Sequence, residues 1–142
     1  MKKLIFAAAF VFAAVAANAQ VVDMKSTSSK ATDTVTNTGS EVLTAQVNGY
    51  QADVTIQAVV TKVSGTVAGT VVLQGSVDGS NYVTLTTTAL PGGNDTCTLT
   101  NTATQSFIYA VGQSKYLYYR VRVTGSGTMV AIINAKLLAR KP

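Results

Sequence analysis

Short β-rich runs separated by turn signals occupy the chain from Glu41 onward, and this pattern limits its possible folds more than any other feature. The clearest run covers residues 115–124, where apolar and polar side chains alternate with a period of two. Because successive side chains of a strand point to opposite faces, one face is predicted to be buried and the other exposed. The predicted buried set is Leu117, Tyr119, Val121 and Val123, and the predicted exposed set is Tyr118, Arg120, Arg122 and Thr124.

The other runs extend this β pattern over a single domain, residues 41–142. None shows the 3.6-residue periodicity of an amphipathic helix, and a parallel sheet is excluded because it needs crossover helices. Strands at a spacing of roughly 8–14 residues favour an all-β fold, a single antiparallel β-sandwich of immunoglobulin-like or jelly-roll type. The predicted strands are residues 54–61, 67–77, 82–88, 96–101, 105–111, 115–124 and 128–138.

Glycines mark the turns between these strands. The sequence DGSN at 78–81 predicts a hairpin turn, because its glycine adopts a positive φ at no steric cost. The GSG sequence at 125–127 predicts a second turn, and LPGGND at 90–95 predicts a longer loop. Gly69 and Gly75 lie inside a predicted strand, where a bulge or a close crossing of two chain segments is expected.

Residues 1–19 have the three parts of a secretory signal peptide. Lys2 and Lys3 form the positive region, residues 4–17 are apolar throughout, and the final ANA matches the signal peptidase pattern, leaving Gln20 as the predicted mature N-terminus. The fourteen apolar residues would span only about 21 Å as a helix, against roughly 30 Å of bilayer hydrocarbon, so they make no stable membrane anchor. We expect export to the periplasm, cell surface or medium; a retained N-terminal helix is the alternative.

Residues 20–40 separate the predicted signal from the predicted domain. They are polar, rich in Thr and Ser, and weakly patterned. This composition favours a flexible leader, with one edge strand expected near residues 32–38.

The composition removes most classes of enzyme. Histidine is absent, so Ser-His-Asp and Cys-His arrangements are impossible and the commonest zinc ligand is missing. The single cysteine, Cys97, excludes an intramolecular disulfide; we interpret it as a small buried residue, with intermolecular pairing or a reactive thiol as alternatives. No two of the six carboxylates have calcium-loop spacing or lie close in sequence. We therefore expect a non-enzymatic protein without metal or cofactor.

The charge distribution is weakly basic overall and asymmetric. Residues 20–142 carry nine basic and six acidic side chains, a net charge of +3 that is too weak to predict a nucleic-acid partner. Residues 115–142 contain six basic residues and no acidic one, which suits a polyanion such as lipopolysaccharide, nucleic acid or acidic polysaccharide. The alternative is a frayed basic tail together with charges that protect edge strands from aggregation.

Tyr118, Arg120 and Arg122 form the candidate interaction face. Five of the seven aromatic residues beyond the predicted signal lie within residues 107–119, and the alternation puts Tyr118 on the face of the two arginines. Such a stripe can stack on sugar rings, bind a carboxylate or phosphate bidentately, or contact a protein partner. The alternative is a solvated sheet face whose long side chains cover apolar neighbours.

Two stretches, VSGTVAGTVVLQGSVDGSNYV at 63–83 and YLYYRVRVTGSGT at 116–128, read as hairpins and resemble small β-sandwich proteins of tailed phages, including phages of the Bacteroidetes. The resemblance implies a non-enzymatic structural or adhesive role, as a virion decoration or tail component. An export signal departs from this pattern, because a particle assembled in the cytoplasm has no use for one.

Two functions follow as hypotheses. The first is a structural or interaction module, displayed on a phage particle or part of a secreted assembly, with protein partners. The second is a secreted bacterial adhesion module that binds a glycan or another surface. An enzyme is the weakest hypothesis, since the usual acid–base and metal-binding residues are missing.

Overall fold

A computed structural model describes residues 19–86 and 96–142. The predicted signal peptide, apart from Ala19, and the predicted loop at 90–95 lie outside these residues. The described residues form ten strands in two sheets, and every pairing is antiparallel. The strands are β1 (Ala19–Asp23), β2 (Thr32–Thr36), β3 (Ser40–Gln46), β4 (Asp53–Ser64), β5 (Gly69–Ser76), β6 (Val83–Thr84), β7 (Thr96–Leu99), β8 (Thr104–Gly112), β9 (Tyr118–Gly125) and β10 (Val130–Arg140).

Sheet 1 has β10 and β4 at its centre. Its order is β1–β10–β4–β8, and β2 pairs with the same edge of β10 as β1. Residues 136–140 of β10 pair with β1, and residues 130–134 pair with β2. Between these two pairings the chain leaves the sheet edge: Met24 is buried, and Lys25 bridges to Thr44 of β3. This segment therefore joins the edges of the two sheets.

Sheet 2 is arranged in a similar way. Its order is β3–β9–β5, and two short strands share the far edge of β5. Residues 69–72 of β5 pair with β7, and residues 74–75 pair with β6. The hairpin predicted at 78–81 is confirmed, since that turn connects the antiparallel strands β5 and β6.

The core lies between the two sheets and follows the predicted alternation. In β4 every second residue from Val54 to Val60 is buried, as the period of two predicts. Tyr119, Val121 and Val123 of β9 are buried in the same way. The Tyr109 hydroxyl donates to the Val71 carbonyl oxygen at 3.1 Å, which joins β8 of sheet 1 to β5 of sheet 2. The two sheets thus form a sandwich around one apolar core.

The structure differs from the expectation of a flexible leader at residues 20–40. Two strands lie there, and both pair with β10 through backbone hydrogen bonds. Val35 of β2 is fully buried, as is Met24, so this polar segment contributes to the core. The edge strand expected near residues 32–38 is present as β2, whereas β1 was not expected, because it is only five residues long and its side chains are exposed or partly exposed.

The predicted second hairpin at 116–128 is wrong. β9 belongs to sheet 2 and β10 to sheet 1, so the GSG segment crosses between the sheets. The crossing is tight: a Cβ added to Gly125 would lie 2.3 Å from the Asn37 carbonyl oxygen. Only glycine fits at that position.

Two further expectations need correction. Leu117 precedes β9 and is 41% exposed, so it does not share the buried face of Tyr119. The strand predicted at 82–88 is only Val83–Thr84 within the described residues. In the ranges 19–86 and 96–142, no helix is long and apolar enough to cross a membrane.

Candidate interaction face

Strand β9 carries the three residues predicted to form the interaction face. It lies between β3 and β5, so its outward side chains stand in the middle of sheet 2. Tyr118, Arg120 and Arg122 all lie on the outer face, because the residues between them are buried in the core. Their common location is confirmed, but each side chain has different neighbours.

Arg120 is held by two neutral side chains. Its Nε donates to Gln74 Oε1 at 2.7 Å, and its guanidinium carbon lies 3.9 Å from the ring centre of Tyr82. Gln74 is itself nearly buried and donates from Nε2 to Thr84 Oγ1 at 3.2 Å. Partial burial lowers the pKa of Arg120, but an arginine remains charged at neutral pH. The result is a fixed, partly desolvated cation.

Arg122 is more exposed and has a simpler environment. Its Nε donates to Ser40 Oγ at 2.9 Å. The Ser40 hydroxyl also shares a hydrogen bond of 3.1 Å with Thr124 Oγ1. Both arginines are therefore oriented through Nε by an uncharged acceptor, and the terminal nitrogens make no hydrogen bond within the described residues.

Tyr118 packs against the turn between β5 and β6. Its ring lies beside Gly79, where an added Cβ would be 3.2 Å from Tyr118 Cζ. The turn is fixed by Asp78, whose Oδ1 accepts from the backbone amides of Ser80 and Asn81 at 2.8 Å each. These amides, with the Asn81 and Ser76 side chains, hold the pKa of Asp78 well below its ordinary value. Tyr118 thus lies against a rigid ionised turn.

The two arginines have no acidic partner among the described residues. The ion pair found there is on sheet 1, where Lys136 Nζ lies 3.7 Å from Asp23 Oδ1. Lys25 adds a third cation near the face, since it bridges to Thr44, which pairs with Arg120 across β3 and β9. The outer face of sheet 2 therefore carries two arginines that form no ion pair within the described residues, and the ionised Asp78 lies at the adjoining turn.

The structure disperses the basic residues of the C-terminal segment. Lys136 and Arg140 are on β10 in sheet 1, whereas Arg120 and Arg122 are on β9 in sheet 2. The sequence cluster is therefore not one surface. Conversely, Lys25 was not predicted near this face, because its pairing with β3 is a long-range contact that leaves no local signal.

The described residues bring together no group of three or more Cys, Asp or Glu side chains that could hold a metal ion. Cys97 is a free, partly buried thiol on β7 that packs against the core. The interpretation of Cys97 as a small buried residue is met only in part, because its side chain packs against the core but is intermediate in exposure.

No family model matches the chain, and no curated protein resembles it in sequence. Solved structures match most of the chain at low sequence identity, and the three described next have TM-scores below 0.5. The Yersinia pseudotuberculosis-derived mitogen is 12% identical over 88% of this chain and 86% of its own, with a TM-score of 0.42. A Bacillus endospore appendage protein, from disulfide-linked pili, is 12% identical over 87% and 91%, with a TM-score of 0.43. The module CsCBM6-3 of Clostridium stercorarium, solved with cellobiose, is 10% identical over 89% and 84%, with a TM-score of 0.40.

Proposed function

We propose that the protein is a non-enzymatic interaction module of a secreted assembly or a phage particle, and that Tyr118, Arg120 and Arg122 contact an acidic protein partner. The observation that carries this proposal is the pair of guanidinium groups held by Gln74 and Ser40. Neutral acceptors fix the orientation of each group without neutralising its charge. Such cations are prepared to bind carboxylates directionally, at a reduced entropic cost.

The spacing of the two arginines supports an extended partner segment. Residues two apart on a strand are separated by about 7 Å, which is also the spacing of alternate side chains on any other extended chain. Acidic residues at alternating positions of a partner strand would match Arg120 and Arg122 in turn. Tyr118 would add apolar contact area beside them, as tyrosine does in protein interfaces.

The proposal includes export. Residues 1–19 would act as a cleaved signal, and the module would then work at the cell surface or outside the cell. The phage resemblance suggests display on a particle instead. An intact mass that begins at Gln20 would support export, whereas retention of Met1 in the protein from its native source would favour the particle.

A glycan-binding role is less well supported at this face. The Tyr82 ring carries the Arg120 guanidinium on one side, so that side is closed to a sugar. The Tyr118 ring offers only the side turned away from Gly79. The two oriented guanidinium groups favour carboxylates as the partner groups at this face.

The test compares two double variants that each remove two positive charges. Arg120→Ser with Arg122→Ser alters the face, and Arg140→Ser with Lys141→Ser removes exposed charges elsewhere as a matched control. The probe is a synthetic peptide of alternating Glu and Thr, with a Lys–Thr peptide as the opposite-charge control. We expect the face variant to bind the acidic peptide about tenfold more weakly, and the control variant to bind like the wild type.

The same variants are then tested against particle or envelope fractions from the native source. Equal weakening in both double variants would show that only net charge matters, which contradicts the proposed face. Undiminished binding by the face variant would support the alternative, in which Tyr118, Arg120 and Arg122 form only a solvated sheet face.

A further inference from the structure

A groove at one end of the sandwich lies apart from the arginine pair. It has a volume of about 290 Å³, and the loop between β3 and β4 meets the loop between β8 and β9 there. Its apolar lining comes from Tyr50, Val77, Tyr116 and Leu117, and its polar lining includes Ser114 and Lys115. Tyr50 is 56% exposed, so much of its side chain is open to solvent at the groove.

The loop that presents Tyr50 is braced. Gln51 is nearly buried; its amide donates to Ser114 Oγ at 2.9 Å, and its carbonyl oxygen accepts from the Ser114 amide at 3.0 Å. The Gln51 side chain also donates from Nε2 to the Asn48 carbonyl oxygen at 2.8 Å. The two loops are therefore tied together at the groove, and the exposure of Tyr50 is a fixed feature of a restrained backbone.

Tyr116 is the second aromatic residue of the groove, and it is also fixed. Its ring lies on Gly75 of β5, where an added Cβ would come within 2.6 Å of Tyr116 Cδ2. It meets Tyr119 edge to face, with ring centres 6.0 Å apart. Tyr116 and Val77 also line a neighbouring groove of about 260 Å³. A core tyrosine and a glycine thus hold one ring between two adjoining grooves.

We propose that this end groove binds a sugar ring, with Tyr50 and Tyr116 contacting its apolar C–H face. A pyranose presents C–H groups on one face and hydroxyls around its perimeter, so it needs aromatic walls together with hydrogen-bonding groups at the rim. The Ser114 hydroxyl accepts from Gln51 and still has its own proton to donate. Lys115 Nζ makes no hydrogen bond within the described residues and adds a donor for a hydroxyl or a uronate carboxylate.

The chemistry of the groove favours a sugar over an apolar peptide side chain. An aliphatic side chain would gain from Val77 and Leu117, but it would make no use of the Ser114 hydroxyl and the Lys115 ammonium group at the rim. The groove is also small, at the low end of the roughly 300–1,000 Å³ of ligand sites. It suits one ring, and the adjoining groove offers room for a second. This site does not depend on the arginine face, so failure at one leaves the other intact.

The experiment is a titration of the isotope-labelled protein, followed by amide chemical shifts. The probes are methyl glycosides of glucose, galactose, mannose and glucuronic acid, and cello- and xylo-oligosaccharides, each raised to roughly 20 mM to saturate a site with a Kd of about 1 mM. We expect saturable shifts confined to residues 49–50, 77 and 114–117, and tighter binding by an oligosaccharide than by its methyl glycoside. Tyr50→Ala should weaken binding about tenfold, and Tyr50→Trp should retain it.

Ile108→Ala is the matched control, since Ile108 is 65% exposed on β8, outside the groove, and its removal should leave the affinity unchanged. The absence of saturable shifts with every sugar in the panel would overturn the proposal. So would shifts at the groove with N-acetyl-leucinamide but not with sugars, which would identify a peptide site. Sugar-induced shifts centred on Arg120 and Arg122 would also overturn it.

Discussion

The two faces of β9 are built from neighbouring residues by different physical means. On the inner face, Tyr119, Val121 and Val123 are almost completely removed from solvent and pack between the sheets. On the outer face, Arg120 and Arg122 are each oriented by one uncharged acceptor from an adjacent strand. The inner face obtains its order from burial, which is non-directional, whereas the outer face obtains it from specific partners.

This difference separates stability from recognition. Replacing an inner residue leaves a cavity, and its cost falls on the whole fold. Replacing an outer residue removes a few polar contacts, so its cost to the fold is smaller, and a further cost falls on whatever binds there. The contrast predicts a graded series of effects along one strand, which can be measured with the same unfolding assay.

Tyr119→Ala should have the largest effect, a loss of about 3 kcal/mol in the free energy of unfolding, because a large buried side chain is removed. Tyr119→Phe is the control, since it loses only the hydroxyl that accepts from the Lys115 amide at 3.3 Å. Urea unfolding of both variants measures the difference. A loss below about 1 kcal/mol for Tyr119→Ala would contradict the inner-face assignment.

Arg120→Ala should have an intermediate effect of about 1.5 kcal/mol. It removes the cation from the Tyr82 ring and leaves Gln74 Oε1, on a nearly buried side chain, without its donor. Arg120→Lys keeps the charge but cannot reproduce the Nε contact, so it should recover only part of the loss. If Arg120→Ala is neutral in urea unfolding, the outer face is less ordered than its contacts indicate.

Arg122→Ala should change the free energy of unfolding by less than about 0.5 kcal/mol, because its side chain is exposed and has one neutral hydrogen bond. Thermal unfolding of this variant beside Arg120→Ala would measure the gap between the two arginines. If both variants lost the same free energy of unfolding, the different burial of Arg120 and Arg122 would have no effect on stability.

The smallest effect is expected at Asp78, which fixes the turn under Tyr118 and is fully exposed. The amides of Asn81 and Ser80 lower its folded-state pKa, so its ionised form adds stability above the unfolded pKa, near 4, and this contribution is lost as the pH falls. The difference in unfolding free energy between wild type and Asp78→Asn should therefore shrink below about pH 4. A difference that stays constant from neutral to acid pH would contradict this role.

The sequence predicted what depends on alternation and missed what depends on long-range partners. The inward direction of Tyr119 followed from its neighbours, and the close approach of two chain segments expected at Gly69 is present, since an added Cβ there would lie 2.1 Å from the Thr124 carbonyl oxygen. At Gly75 the close neighbour is the Tyr116 ring and not a second backbone segment. Leu117 was wrongly placed on the buried face because the alternation in the sequence extends to the N-terminal side of Tyr118, where β9 begins. Gln74 and Ser40, which orient the arginines, are 46 and 82 residues away from them, and no local pattern reveals such contacts.

The same limit explains the crossing after β9. A GSG segment between two β-runs fits either a hairpin or a connection between sheets, and the choice depends on which strands β9 and β10 pair with. β9 pairs with β3 and β5, and β10 pairs with β1, β2 and β4. These partner strands come from distant parts of the chain. Local sequence specified that the chain turns but not which sheet it enters.

The position of β10 has a consequence for the order of folding. This strand is the last of the ten, yet it pairs with β1, β2 and β4 and lies at the centre of sheet 1. A nascent chain without β10 has nothing to join β1 and β2 to β4, so sheet 1 is completed only after synthesis has passed residue 130. Pairings so distant in sequence also make folding slow. If residues 1–19 direct export, this late closure keeps the chain open during the interval in which a translocation channel must accept it.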